Sequence, residues 1–421
     1  MRHARKLMVF VLIALLFTLV LTQGTFGASK TVITHWQHSS SARDKMMQQL
    51  AEEFMQLHPD VEVEVQVFPL NEFLDKVLVA LAGGAGPDTV QVRSTWMQGL
   101  IKAGLLFPLD SNVITAEEIE RDFVPPAIAP LQANGEYYAL PTDAQSIVLF
   151  YQPELFELAG LDSTKPPTTW DELIAMAKKV HKRDAQGKTT QMGVATGGYA
   201  PVLFTLMHQA GASLWDPVEQ LPLFNTPEAV NGLKFAVDLV IEHGVEDRTF
   251  GSRWTAFRSE KLGMVYAHPA MKGSFLSTHP NLKFNIAEIP AATADGDKSS
   301  LLTTWALGLT KTENSEIATK WLLYVQSHEN QQRWLSETGE LPTRWSVIRR
   351  PEYQRDSDLR AILWSMPTSF PVPWISDDIL NLATAAWNVA TNLQDSIQNQ
   401  AQILQDKAVV AEREAQTRSF R

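Results

Sequence analysis

The sequence predicts an α/β protein made of two doubly wound lobes, and three observations carry that expectation. Residues 31–102 alternate strand-period and helix-period patterning as strand, helix, strand, helix, strand, helix. A second alternation of the same kind begins after Tyr151. At 421 residues the chain is long for one hydrophobic core, which favours two.

Residues 1–27 read as a secretory leader. Arg2, Arg5 and Lys6 precede an apolar run over 7–21, and small residues at Thr25-Phe26-Gly27 suit cleavage before Ala28. The run is short for a membrane span, so an uncleaved anchor is the lesser alternative. The expected product is exported to the periplasm.

The first strand is expected over 31–36, opening into Gln37-His38-Ser39-Ser40-Ser41. An amphipathic helix over 42–57 follows, with Met46, Leu50, Phe54 and Leu57 at helical spacing and His58-Pro59 as its stop. Residues 61–68 alternate valines with Glu62, Glu64 and Gln66, a strand with one solvated face. A helix over 72–82 places Phe73, Val77, Leu78 and Leu81 on one face and ends at Gly83-Gly84-Ala85-Gly86. Pro87-Asp88 fixes the turn into a short buried strand, 89–92, which delivers Arg93, Ser94 and Trp96 at its carboxyl end. Open α/β sheets usually hold small ligands at that edge. A phosphate loop is excluded because no Gly-Lys-Ser/Thr follows the glycines.

After a helix over 94–102, residues 136–140 and Pro141-Thr142-Asp143-Ala144-Gln145 lead without a long loop into the apolar strand 147–151, as a crossing between lobes would. The second lobe then offers a helix capped by Thr169 with Glu172 three residues on. A strand over 191–195 ends in Thr196-Gly197-Gly198-Tyr199. Helices over 201–210 and 227–242 and strands over 264–267, 284–288 and 305–309 come next. The last seventy residues are expected to be helical, broken at Pro371-Val372-Pro373-Trp374, with a polar tail beyond Gln402 that frays.

Composition excludes several functions. The formal charge is −11, and losing the leader's three cations makes it more negative; no basic stripe suits nucleic acid or an anionic membrane. Cysteine is absent, which removes disulfides, thiolate chemistry, Cys-based zinc sites and a lipid anchor on cysteine. His35 and His38 have no third ligand at metal spacing, and no Gly-x-Ser-x-Gly elbow is present. Asp377-Asp378 cannot act as a glycosidase pair, because adjacent helical residues point apart. Twelve tryptophans exceed what packing alone needs and point to a binding surface, with core packing the competing reading for each one.

Taken in order, the motifs resemble the extracellular solute-binding proteins of ABC importers, in the carbohydrate-binding, maltose-binding-type family. The resemblance rests on Ala82-Gly-Gly-Ala-Gly-Pro-Asp88, Gly104-Leu105-Leu106-x-Pro108-Leu109, Tyr138-x-Leu140-Pro141, Leu149-Phe-Tyr151 with Phe156 and Gly160, and Pro166-Pro-Thr-Thr-Trp-Asp-Glu-Leu173. It continues through Phe257-Arg-Ser-Glu-Lys-Leu-Gly-Met264, Trp305-Ala-Leu-Gly-Leu309 and Gly339-x-Leu-Pro342. One departure is His268-Pro269-Ala270, where the family often has Gly-Pro-Trp; a stacking ring is missing there.

The resemblance implies two doubly wound α/β lobes joined by several hinge crossings, the type II periplasmic-binding-protein architecture. Crossings are implied near 140–146, 264–269 and 326–329. The implied partition is residues 28–142 plus 267–327 in the first lobe and 143–266 plus 328–421 in the second. It also implies a monomer without cofactor, metal or catalytic residue, which captures a sugar or polyol in the cleft and passes it to ABC transporter permease subunits. Trp305 is the leading ring candidate, because similar proteins often place a ring there. Asp143 and Gln145 flank the first crossing, where a carboxylate accepts sugar hydroxyls. Trp36, His38, Arg93, Trp96, Tyr199, His268 and Thr304 lie at strand ends. Trp215 either lines the cleft or plugs the second lobe, and Arg344 and Trp374 complete the set. The competing readings are a binder of a phosphorylated polyol such as glycerol 3-phosphate, using Arg93 or Arg344, and a periplasmic glycoside hydrolase.

Overall fold

A computed structural model of the chain describes residues 30–372, 376 and 378–418. The expected leader, Trp374 and Asp377 lie outside the described residues.

The first sheet grows from β1 (Thr31–His38), flanked in parallel by β2 (Val61–Phe68) and β3 (Thr89–Arg93). The helix Ser41–Leu57 covers it with Met46, Met47, Leu50 and Phe54, all essentially inaccessible. In the helix Leu70–Ala82, Phe73 and Val77 are buried, whereas Leu78 is exposed, so the apolar stripe is narrower than its spacing predicts. Asp88, after the glycine-rich turn, is a structural bolt. Its Oδ2 accepts from the Thr34 backbone N–H and hydroxyl, each at 2.8 Å, and its Oδ1 accepts from the Thr312 hydroxyl.

The strand Leu301–Leu309 joins this sheet, antiparallel to β3 on one side and to Ala139–Gln145 on the other, and Phe370–Pro371 runs parallel to its first residues. It starts four residues before its expected position, because the polar Thr303 and Thr304 are held by the neighbouring strand Ala139–Gln145. The second sheet runs Asn285–Ala287, Val148–Tyr151, Leu262–Ala267, Thr189–Ala195 and Lys182–Arg183. Each sheet has its own core, centred on Val90, Trp321 and Leu307 in one lobe and on Phe204, Leu233 and Met264 in the other.

The chain passes between the lobes at 146–147, 288–300 and 339–345. The sheets therefore divide the chain differently from the expected partition. Asn285–Ala287 pairs with Val148–Tyr151 of the second lobe, which moves the second crossing past 287. The helix His328–Thr338 still belongs to the first lobe, with Trp334 in its core, which moves the third crossing to Gly339 and beyond. The crossings are laced by polar contacts. Ala144 N–H donates to Leu341 O at 3.2 Å, Ile147 N–H to the Ser300 hydroxyl at 3.0 Å, and the hydroxyls of Ser146 and Ser365 meet at 2.6 Å.

The tail departs from expectation. Residues Ile397–Arg418 form one helix with Leu404, Ala408 and Glu412 buried. Gln405 locks it to the second lobe, accepting from Phe224 N–H and donating to Pro222 O at 2.7 Å. Its polar sequence hides a narrow apolar stripe.

Candidate ligand cleft

The first lobe brings His38, Arg93, Asp143 and Trp305 together at one sheet edge. Trp305 lies opposite Arg93 on one neighbouring strand and Asp143 on the other, with a register break directly after it. Its ring is boxed in by this chain. The His38 ring lies 4.4 Å away, tilted by 35°, and Trp96 meets it edge-on at 5.5 Å. The Arg93 guanidinium sits 4.8 Å from its centroid and that of Arg43 5.9 Å. Trp305 is consequently only 5% exposed and Trp96 9%.

Arg43 organises the layer beneath. It donates to His38 Nε2 at 2.8 Å and to Glu340 Oε1 at 3.1 Å, joining the first helix to the third crossing. Burial, and after it the Arg43 charge, pushes His38 down to about 4, so the ring is neutral and Nε2 keeps its lone pair for Arg43. Asp143 is wholly buried. Its Oδ2 accepts from the Thr142 hydroxyl at 2.9 Å, and its Oδ1 has no partner among the described residues. Burial pushes its carboxyl up to about 7; Arg43 opposes this and the Glu340 charge adds to it.

Several expectations are corrected by this arrangement. Asp143 has no exposed oxygen to offer a sugar hydroxyl, because the crossing strand turns it inward. Thr304 is likewise buried, its N–H donating to the Ser94 hydroxyl at 3.2 Å. Trp305, Trp96 and His38 form a packed floor instead of an open stacking face. Trp36 packs on Phe68 at 4.9 Å. Arg344 sits on a different face. It pairs with Asp122 at 3.1 Å, donates to Gln326 O and covers Phe123, lining a separate cavity of about 310 Å³ with Val113, Ile114 and His328. Arg93 and Gln145 remain half-buried at the floor's margin.

The second lobe is built differently. The strand Thr189–Ala195 ends in Thr196-Gly197-Gly198, whose two glycines take φ of 64° and 60°. A side chain at Gly197 would strike Arg253 and one at Gly198 would strike Trp387, each at 2.3 Å, so only glycine fits. Buried Glu246 secures the turn, accepting from Thr196 N–H at 3.0 Å, its hydroxyl at 2.8 Å and Gly197 N–H at 2.7 Å. The turn presents Tyr199, half-buried, beside Arg253, Trp254 and, at the end of Leu262–Ala267, His268. The Tyr199 phenol is raised chiefly by burial and opposed by the charges of Arg253 and of Arg93 from the other lobe. Trp215 belongs to a small hairpin and packs against the second core.

Sequence reasoning missed Arg43, Glu340, Arg253 and Trp254. Arg253-Trp254 carried a legible signal, a cation beside a ring just before the Phe257 motif. Arg43 and Glu340 carried none, being almost 300 positions apart. Among the described residues no group of His, Asp or Glu could hold a metal ion, and no helix is long and apolar enough to cross a membrane.

Two α/β lobes, each with its own sheet and joined by segments that cross between them, are the architecture of a two-lobed binding protein. The chain belongs to the bacterial extracellular solute-binding protein family, whose pattern matches residues 38–332. This is the family that the order of motifs resembles, and it is a family of binding proteins without catalytic activity. The chain is 29% identical over 315 residues to the arabinooligosaccharide-binding protein of Halalkalibacterium halodurans, covering 71% of this chain and 68% of that one. It is 25% identical over 339 residues to the maltotriose-binding protein of Pyrococcus abyssi, covering 78% and 70%. In fold it resembles the cyclic alpha-maltosyl-1,6-maltose binding protein of Arthrobacter globiformis, with a TM-score of 0.78, 20% identity and coverage of 91% and 100%.

Proposed function

We propose that this protein is the periplasmic substrate-binding component of an ABC importer, which captures a saccharide or polyol between its lobes and delivers it to membrane permease subunits. The observation that carries this reading is the make-up of the second wall. Tyr199 and Trp254 offer rings beside the donors of Arg253 and His268, and the first lobe contributes the partly buried Arg93 and Gln145. Rings cover the apolar faces of a sugar while planar donors pair its hydroxyls, and each donor left unpaired in a dry cleft costs about 1–3 kcal/mol. The saccharide ligands named for the two relatives support the same class.

In this reading the packed first-lobe floor keeps its shape, the second lobe swings about the three crossings, and transport ends with release of an unaltered ligand. The protein acts as a monomer after its leader is removed near Gly27/Ala28. A phosphorylated polyol held by Arg344 is disfavoured, because that guanidinium is committed to Asp122 and Gln326.

Thermal-shift measurements over arabino-, malto- and manno-oligosaccharides, hexitols and sn-glycerol 3-phosphate test the proposal. A ligand at a hundred times its Kd stabilises the protein by about 2.7 kcal/mol. A rise in Tm with a saccharide or polyol recovered intact is expected. No response to any of them, or a response confined to amino acids or peptides, removes it.

A further inference from the structure

Arg253 makes no ion pair among the described residues. Its guanidinium is held 5.0 Å from the Tyr199 ring and 4.2 Å from the Trp254 ring, and it donates to the Thr196 carbonyl. No carboxylate among the described residues lies within ion-pair distance of it. The Glu246 charge acts on it from beyond ion-pair distance, and both Glu246 oxygens already accept from Thr196 and Gly197. Arg43 differs: it has Glu340 at 3.1 Å. A half-buried arginine fixed between two rings, with donors of its fork still unspent, is preorganised for a planar anion.

We infer that the second wall selects saccharides that carry a carboxylate, and that Arg253 is the residue that reads it; this rests on the proposed saccharide-binding function. The fork of a guanidinium matches a uronate carboxylate with two parallel N–H···O bonds, while Tyr199 and Trp254 cover the ring of the same sugar unit. A phosphate dianion fits less well. The helix Ala200–Gln209 starts beside the fork, but Gly197 N–H is spent on Glu246 and Pro201 has no N–H to give. His268 adds no competing charge, since burial and, after it, Arg253 itself push its pKa down.

The test measures Kd by calorimetry for trigalacturonate and for an aldouronate (a glucuronosyl xylo-oligosaccharide), each against its methyl ester, which keeps the shape and removes the charge. The acid is expected to bind at least tenfold tighter than its ester, with the gap narrowing as salt rises. Arg253→Gln should weaken both ligands but the acid at least tenfold more, erasing the preference between them; Arg253→Lys should keep part of the preference. The wild-type acid–ester comparison needs no variant, so a poorly folding mutant does not rescue the idea. Equal affinity for acid and ester, or a neutral saccharide or sn-glycerol 3-phosphate as the preferred ligand, overturns the carboxylate inference and leaves the binding-protein reading standing. Binding of no saccharide or polyol at all overturns both.

Discussion

The first wall keeps Trp305 at 5% exposure, Arg43 at 4% and Asp143 at 0%, whereas Tyr199, Arg253, Trp254 and His268 of the second lobe are each only partly buried. One wall is a packed floor whose charges answer each other; the other is an accessible surface with a cation to spare. Substitutions in the floor should therefore register first as lost stability. Substitutions in the opposite wall should register first as lost affinity.

The largest effect expected from this contrast is that of Trp305→Ala, which empties a site enclosed by His38, Trp96 and two arginines. It should cost about 3–5 kcal/mol in denaturant unfolding. A variant of unchanged stability that has lost its ligand would instead make Trp305 a stacking face and dissolve the contrast. Arg43→Met comes next, because it strands the carboxylates of Glu340 and Asp143 in a buried setting. A loss of about 3 kcal/mol is expected, partly restored by adding Glu340→Gln.

A pH effect sharpens the comparison further. Burial pushes the Asp143 carboxyl up to about 7 from an ordinary 3.8, so its contribution is fully present only below about pH 4 and is lost as pH rises through 7. His35 and His38, pushed to about 4, act in the opposite sense: their contribution is present above pH 6.5 and fades as pH falls through 4. Subtracting wild type from Asp143→Asn isolates the carboxyl. The variant should melt higher than wild type at pH 8 and close to it at about pH 3.5. A lower Tm at pH 8 would mean that the ionised carboxylate anchors the crossing.

On the other wall, Tyr199→Ala should weaken ligand binding by roughly 1–2 kcal/mol, measured by calorimetry, with a small change in Tm. The smallest effect on binding belongs to Arg344→Ala. Its pair with Asp122 lies away from the cleft, so stability should fall modestly and Kd should stay as in wild type. An altered Kd there would show that the third crossing transmits strain to the cleft.

What the sequence determined by itself was the alternation of elements and which face of each is apolar. Valines at every second position of β2 and apolar residues at helical spacing in Ser41–Leu57 oblige one face inward, whatever lies beneath. The order of motifs was enough to indicate the family. The tertiary structure decided which chemically promising side chains are buried and which stay accessible. Nothing local to Trp305 says that His38 and two arginines will close over it, and Arg43 meets Glu340 only because a crossing strand returns beside the first helix. The reach of the polar tail helix onto Phe224 was invisible for the same reason. Periodicity is a property of neighbouring residues along the chain. Exposure and charge pairing are set by residues hundreds of positions apart, and those meet only once the sheet order and the hinge crossings exist.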